Sequence, residues 1–156
     1  MNSNIRIDRL VLQNYRNHHF LRLNLQKDIV VIYGRNGSGK TNILEAISLL
    51  DSPTGLRNAN LSEIINDNLR SPLELFGINL KIFSNGLHNL VGLGLKKNHE
   101  NYKKILRING VQTNFDYIKK SLSVFWMVPR MSYLFQDSAE DRRNFIDLMI
   151  SCVDLS

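Results

Sequence analysis

Residues 29–41 have the sequence IVVIYGRNGSGKT. The apolar run 29–33 is followed at once by the pattern G-x-x-x-x-G-K-[ST], which residues 34–41 match at every fixed position. From Lys40 to Leu50, apolar residues then recur at helical spacing, with Ile43, Leu44 and Ile47 on the face that also carries Leu50. A strand, a glycine-rich loop and a helix in this order form a phosphate-binding P-loop. The sequence therefore predicts a site for the phosphates of ATP or GTP.

The residue types of the loop explain that chemistry. Glycine permits backbone conformations that other residues avoid, so successive N–H groups turn toward an anion. The helix that starts near Lys40 directs its positive end at the same place. Lys40 is predicted to contact the β- and γ-phosphates, and the Thr41 hydroxyl is a ligand for Mg²⁺. The predicted nucleotide-binding residues of the loop are Gly34, Arg35, Asn36, Gly37, Ser38, Gly39, Lys40 and Thr41.

The segments on either side predict an α/β fold. Segments 5–12 and 19–25 alternate apolar and polar residues, which predicts two antiparallel strands joined by a turn at 14–17. The run 29–33 lacks alternation, which is typical of a strand covered on both faces. Asn109-Gly110 predicts a hairpin turn. Further strands are predicted at 73–83, 89–95, 104–108 and 124–128, and further helices after a cap at Asn60 or Ser62, at 115–121 and at 139–152.

Composition limits the class of protein. The 156 residues carry a net charge of +6, with a pI near 9.6, which favours polyanionic partners. A single cysteine excludes an intrachain disulfide and suits a reducing cytoplasm. There is no apolar run of the roughly 18 residues that would span a bilayer, so we expect a cytoplasmic protein without a membrane partner. The four histidines lack metal-ligand spacing and are predicted to be ordinary surface or turn residues.

Four segments together resemble the RecF family of ABC-type ATPase heads, a group that also includes the SMC proteins. The first is the P-loop block extended through NILEAI, at 42–47. The second, LQNYRN at 12–17, is similar to the family's N-terminal Asn-[Phe/Tyr]-Arg-Asn, and the third is GLR at 55–57. The fourth comprises WMVPRM at 126–131, Leu134-Phe135 and RRNFID at 142–147. Their order and spacing fit the family over nearly all of the chain.

The resemblance implies a P-loop ABC-type head with a mixed sheet: a nucleotide-binding lobe at 1–125 and the start of a second lobe at 126–156. It implies binding of ATP and Mg²⁺, weak DNA-dependent ATP hydrolysis and an ATP-dependent homodimer. It also implies binding to gapped or junction DNA and work with recombination mediator proteins, in gap repair and the SOS response. Arg16 stands where related heads contact the nucleotide, and Arg57, Arg142 and Arg143 are candidates for contact with DNA, a phosphate or the other lobe.

Other parts of such a head are missing from the sequence. No apolar run after the P-loop ends in Asp-Glu, and there is no Ser-Gly-Gly-type signature. We therefore expect the N-terminal part of a longer head, with feeble hydrolysis or none, because water-orienting and Mg²⁺-binding carboxylates drive turnover. Two alternatives remain: a non-catalytic nucleotide- or protein-binding fragment, and the head of another SMC-like or nuclease-associated ATPase.

Overall fold

The computed structural model of the chain describes residues 5–66, 76–84, 86–98, 101–119, 122–129 and 138–153. Six strands lie in these ranges: β1 Arg6–Tyr15, β2 His18–Asn24, β3 Gly77–Ser84, β4 Leu87–Asn98, β5 Asn101–Ile108 and β6 Val111–Thr113. The α-helices are α1 Lys40–Ser48, α2 Leu61–Ile64, α3 Phe115–Lys119 and α4 Ala139–Val153, and a 3₁₀ turn covers Gly55–Arg57.

The strands form one sheet in the order β2-β1-β3-β4-β5-β6, and every pairing is antiparallel. The hairpin predicted at Asn109-Gly110 joins β5 to β6, and both turn residues have positive φ, 50° and 85°. Asn60, one of the two residues predicted to cap this helix, caps α2 in a reciprocal capping box with Glu63. The predicted elements at 5–12, 19–25, 89–95, 104–108 and 139–152 are confirmed with small shifts of their ends.

The core lies on one face of the sheet. Alternate strand residues point to this inner face, and the helix α1 and the residues that follow it cover them. The fully buried side chains of this core include Leu10, Leu12, Ile78, Leu80, Ile82, Leu49, Leu50 and Ile64. Because α1 is fixed against the sheet by this core, the loop that precedes it is held beside the turn between β1 and β2.

The strand predicted at 29–33 is wrong. The segment pairs with no strand of the described ranges, and Ile29, Val31 and Tyr33 are 85%, 79% and 90% exposed. A run that is apolar on both sides requires sheet neighbours and covering layers, and these do not occur around it in the described part of the chain. The β-branched residues thus indicate a preference for extended backbone but do not by themselves place the segment in the sheet.

The strand predicted at 124–128 is also wrong. This segment is irregular and lies beside α1, where it and the helix enclose a cavity of about 390 Å³ with Leu44, Ile47 and Leu56. Leu44 is 52% exposed, so the predicted apolar face of α1 is shifted toward Ala46, which is fully buried.

Some residues of the predicted elements and of the family segments lie outside the described residues: 73–75, 120–121 and 130–137. No helix within the described ranges is long and apolar enough to cross a membrane.

Candidate nucleotide-phosphate site

The P-loop backbone is held open by its glycines. Gly34, Gly37 and Gly39 have φ values of 153°, 80° and 91°, in the region that favours glycine. Gly39 is the N-cap residue of α1, so no side chain caps the first amides of the helix. The Lys40 ammonium donates hydrogen bonds to the carbonyl oxygens of Gly34 and Arg35, at 2.8 and 2.7 Å. The Lys40 side chain is therefore folded back over the same loop that would bind a phosphate.

A cavity of about 290 Å³ lies at the N-terminus of α1. Its described lining residues are Asn36, Gly37, Gly39, Lys40, Thr41, Asn42 and Arg57. Arg57 reaches the cavity because the 3₁₀ turn folds back on α1, where its guanidinium donates to Asn42 Oδ1 at 3.0 Å. Two side-chain cations, from Lys40 and Arg57, thus border the same cavity as the positive end of a helix, and no carboxylate lines it among the described residues.

The turn between β1 and β2 packs against the start of α1. His18 Nε2 lies 3.3 Å from the Gly39 carbonyl oxygen, and Asn42 Nδ2 donates to Asn17 Oδ1 at 2.8 Å. A Cβ atom on Gly39 would lie 2.5 Å from His18 Nε2. Position 39 therefore requires glycine both for its backbone conformation and for this close approach.

A buried carboxylate connects the loop helix to its surroundings. Glu45, one turn after Thr41, has no exposed surface and accepts a hydrogen bond from the Tyr15 hydroxyl at 2.7 Å. The Arg16 guanidinium forms a two-pronged ion pair with both oxygens of Glu45 and also donates to the Glu63 carbonyl at 2.9 Å. Arg57 Nη1 lies 3.7 Å from Glu45 Oε2. The Glu45 carboxylate on α1 thus connects Tyr15 and Arg16, at the end of β1, with Arg57 of the 3₁₀ turn.

The protonation states of this cluster follow from its packing. Burial, and then the hydrogen bond to Glu45, raise the pKa of Tyr15 far above its usual value, so the phenol stays neutral. Hydrogen bonds to Glu45 raise the pKa of Arg16, which stays charged. Nearby, burial lowers the pKa of Lys104, although Glu45 opposes that shift; its ammonium donates to the Pro53 carbonyl at 2.7 Å.

The predicted site residues are distributed as follows. The loop residues and Arg57 come together at the cavity, whereas Arg16 lies behind it, facing Glu45. Arg142 and Arg143 are exposed on α4 and do not line the cavity. Sequence reasoning missed Glu45 and treated His18 as an ordinary turn residue. The available signal for Glu45 was a single acid between the apolar positions of α1, which indicates a buried partner.

Comparison with known proteins places this geometry in a family. The profile described as RecF/RecN/SMC N terminal domain matches residues 6–128. The chain belongs to this family. Among curated members, it is 35% identical to the DNA replication and repair protein RecF of Agrobacterium fabrum, over 99% of the chain and 41% of the relative. It is 36% identical to the RecF of Brucella suis, over 96% of the chain and 38% of the relative.

Solved RecF structures have the same fold. A structure described as the recombination mediator protein RecF-ATPrS in the RecFOR pathway superposes with a TM-score of 0.80, at 23% identity, over 96% of the chain and 39% of that structure. A second, described as RecF-ATP, gives 0.73 at 24% identity, over 96% and 40%. The predicted RecF-type ATPase-head fold is therefore confirmed. The chain spans about 40% of the length of the relatives that it matches.

Proposed function

We propose that the chain is the nucleotide-binding lobe of an ATP-dependent DNA replication and repair protein of the RecF type. The observation that carries the proposal is the cavity at the N-terminus of α1, where Lys40, Thr41 and Arg57 converge on the glycine loop. Backbone amides, a helix N-terminus and two cations are the groups that bind the phosphates of a nucleotide. The names of the RecF relatives support the biological setting.

The residues of the loop have distinct proposed roles. The ammonium of Lys40 leaves the Gly34 and Arg35 carbonyls for the β- and γ-phosphates, since both oxygens are acceptors that an incoming anion replaces. The amides of 36–41 bind the same phosphates. The Thr41 residue lines the cavity, where its hydroxyl would be a ligand for Mg²⁺, and that ion would supply charge neutralisation for the phosphates. Arg16 acts from behind through Glu45 rather than by touching the nucleotide.

Binding, rather than turnover, is the function that we assign to these residues alone. The described lining of the cavity offers cations, amides and hydroxyls but no carboxylate to orient a water molecule. Hydrolysis, the homodimer, DNA, mediator partners, the SOS response and a cytoplasmic setting are proposed for the RecF-type protein by analogy with its relatives. Contacts of Arg142 and Arg143 with DNA or the other lobe, and the boundary at residue 125, remain predictions.

The test is a calorimetric titration of the chain with ATP and Mg²⁺. Lys40→Ala should weaken binding at least ten-fold, because it removes a charge-assisted contact of about 1.5 to 3 kcal/mol. Lys27→Ala, which removes an exposed lysine outside the cavity, is the matched control and should bind like the unmodified chain. Equal affinities for the two variants would contradict the proposed site.

A further inference from the structure

The side-chain amide of Asn42 has a partner at each end. Its Nδ2 donates to Asn17 Oδ1 at 2.8 Å, and its Oδ1 accepts from Arg57 Nη1 at 3.0 Å. A guanidinium has donors only, so the atom of Asn42 that faces it must be the oxygen. The amide nitrogen of Asn42 then faces Asn17, where only an oxygen can accept its hydrogen. Arg57 thus determines the orientation of both amides, and Asn42 connects the β1–β2 turn to the 3₁₀ turn.

The guanidinium of Arg57 has a second acceptor nearby. Its Nη1 lies 3.7 Å from Glu45 Oε2, beyond hydrogen-bond distance, compared with 3.0 Å from Asn42 Oδ1. Glu45 already accepts from Tyr15 and Arg16, but a carboxylate offers about four lone-pair sites and can accept a further bond. Its negative charge attracts Arg57 toward the core, away from the cavity at the N-terminus of α1. The hydrogen bond to Asn42 opposes that displacement.

The backbone that carries this arginine is fixed by other contacts. The Leu56 N–H donates to Ser48 Oγ at 2.9 Å, which ties the 3₁₀ turn to the end of α1. The Lys104 ammonium, from β5, donates to the Pro53 carbonyl oxygen at 2.7 Å and holds the segment before the turn. Removing the Asn42 amide therefore leaves the turn in place and frees only the arginine side chain.

A free arginine side chain is a poorer ligand than an ordered one. Ordering a long side chain with many rotamers on binding opposes the association, and a side chain that is already ordered avoids that cost. The described contacts of the Arg57 guanidinium are the hydrogen bond to Asn42 and the ion pair with Glu45. Only the first of these holds it beside the cavity. The contact with Asn42 therefore orders the guanidinium before a nucleotide arrives.

We propose that Asn42 is a positioning residue, which holds Arg57 toward the nucleotide phosphates, and that Asn17 fixes the orientation of the Asn42 amide. This inference rests on the proposed function and names two residues that act on the site through a third. Asn17 does not belong to the described lining of the cavity, so its part is indirect. Asn42 does line the cavity, and direct contact of its amide with a phosphate is the alternative that the test distinguishes.

The test is a double-mutant cycle on ATP affinity, measured by calorimetric titration of the full chain with Mg²⁺ present. Arg57→Ala should weaken binding about ten-fold, because it removes a charge-assisted contact. Asn42→Ala should weaken it about five-fold and Asn17→Ala about three-fold, because the guanidinium must then be ordered on binding. Asn24→Ala, which removes an exposed amide at the end of β2, is the matched control and should bind like the unmodified chain.

The double variants separate positioning from other roles. If Asn42 acts through Arg57, Asn42→Ala has no further effect once residue 57 is alanine, and the double variant binds ATP like Arg57→Ala alone. A structural role at the start of α1, or a direct contact with phosphate, would lower the affinity in the Arg57→Ala background as well. The cycle between Asn17 and Arg57 makes the same measurement from outside the cavity, and it decides the question if Asn42→Ala does not fold.

The outcomes distinguish this inference from the proposed function. Non-additive losses support the inference. Additive losses, or unchanged ATP affinity in Asn42→Ala or in Arg57→Ala, would overturn it while the unmodified chain still binds ATP and Lys40→Ala still weakens that binding. No binding of ATP by the unmodified chain would contradict the phosphate site itself, and this inference with it.

Discussion

The two faces of the sheet differ in how their charged side chains are paired. On the inner side, the carboxylate of Glu45 is fully buried and is surrounded by the hydroxyl of Tyr15 and the guanidinium groups of Arg16 and Arg57. On the opposite face of the sheet, the strands carry one acid, Asp8, which Arg6 and His88 contact. The strand pairings place seven lysines and arginines on that face: Arg6, Arg9, Arg22, Lys81, Lys96, Lys103 and Arg107. A buried charge without partners is too costly to keep, whereas an exposed one is screened by water. The inner charges therefore fix the structure, and those on the opposite face are available to a partner.

Replacing Glu45 should have the largest effect on stability. Glu45→Gln leaves Arg16 without its anionic partner at the back of α1, and breaking such a buried pair costs about 3 to 5 kcal/mol. Urea denaturation of the variant measures this loss of unfolding free energy. Glu140→Gln, at an exposed position on α4, is the matched control and should change stability by less than about 0.5 kcal/mol. Similar small effects for both would contradict the structural role of Glu45.

A smaller loss is expected at the contact between the β1–β2 turn and the loop. Gly39→Ala places a Cβ 2.5 Å from His18 Nε2 at a φ of 91°, and the strain should lower the unfolding free energy by about 1 to 3 kcal/mol. The double variant with His18→Ala removes the clash with the imidazole but keeps Asn17 Oδ1, which lies 2.8 Å from the same Cβ. It should therefore recover part of the stability in a double-mutant cycle. Complete recovery would show that the backbone conformation at position 39 contributes nothing to the loss. No recovery would show that the close approach of His18 to Gly39 does not affect stability.

The smallest effect concerns Asp51, whose burial raises the pKa of its carboxyl group. One oxygen of this side chain has no hydrogen-bond partner among the described residues. A folded-state pKa above the unfolded value means that the folded protein binds the proton more tightly. Stability is then lost as pH rises from the ordinary pKa of 3.8 through the folded-state value.

Asp51→Asn should therefore raise the unfolding free energy at neutral pH, by about 1 kcal/mol. The gain should shrink below pH 3.8, where the native carboxyl group is protonated in both states. Thermal denaturation at several pH values measures the difference, with the exposed Asp28→Asn as control. A gain that persists unchanged in acid would rule out burial of the charged form as its cause.

Much of the fold follows from local patterns, and the failures have a common cause. The hairpin at Asn109-Gly110 and the cap at Asn60 depend on adjacent residues, so the sequence predicts them. The run 29–33 and the segment 124–128 were assigned to strands, but a strand depends on neighbours that its own residues do not specify. Apolar β-branched composition alone therefore does not predict membership of the sheet.

The candidate site likewise contains some features that the sequence predicts and others that it does not. The loop at 34–41 carries its phosphate chemistry in its own spacing, and Arg57 was recognised as a candidate through the family resemblance. The ion pair between Arg16 and Glu45 joins residues 29 positions apart, and the contact of His18 with Gly39 spans 21. Such contacts depend on how the β1–β2 turn docks against α1. A single sequence contains no signal for that docking beyond the isolated acid in an apolar helix face.

The central claim is that the cavity at the start of α1 binds the β- and γ-phosphates of a nucleotide. The most direct measurement compares ATP with AMP in the calorimetric titration of the unmodified chain with Mg²⁺ present. The account predicts that ATP binds, and that AMP, which has neither of these phosphates, binds at least ten-fold more weakly or not at all. Equal affinity for ATP and AMP, or no binding of ATP, would contradict it.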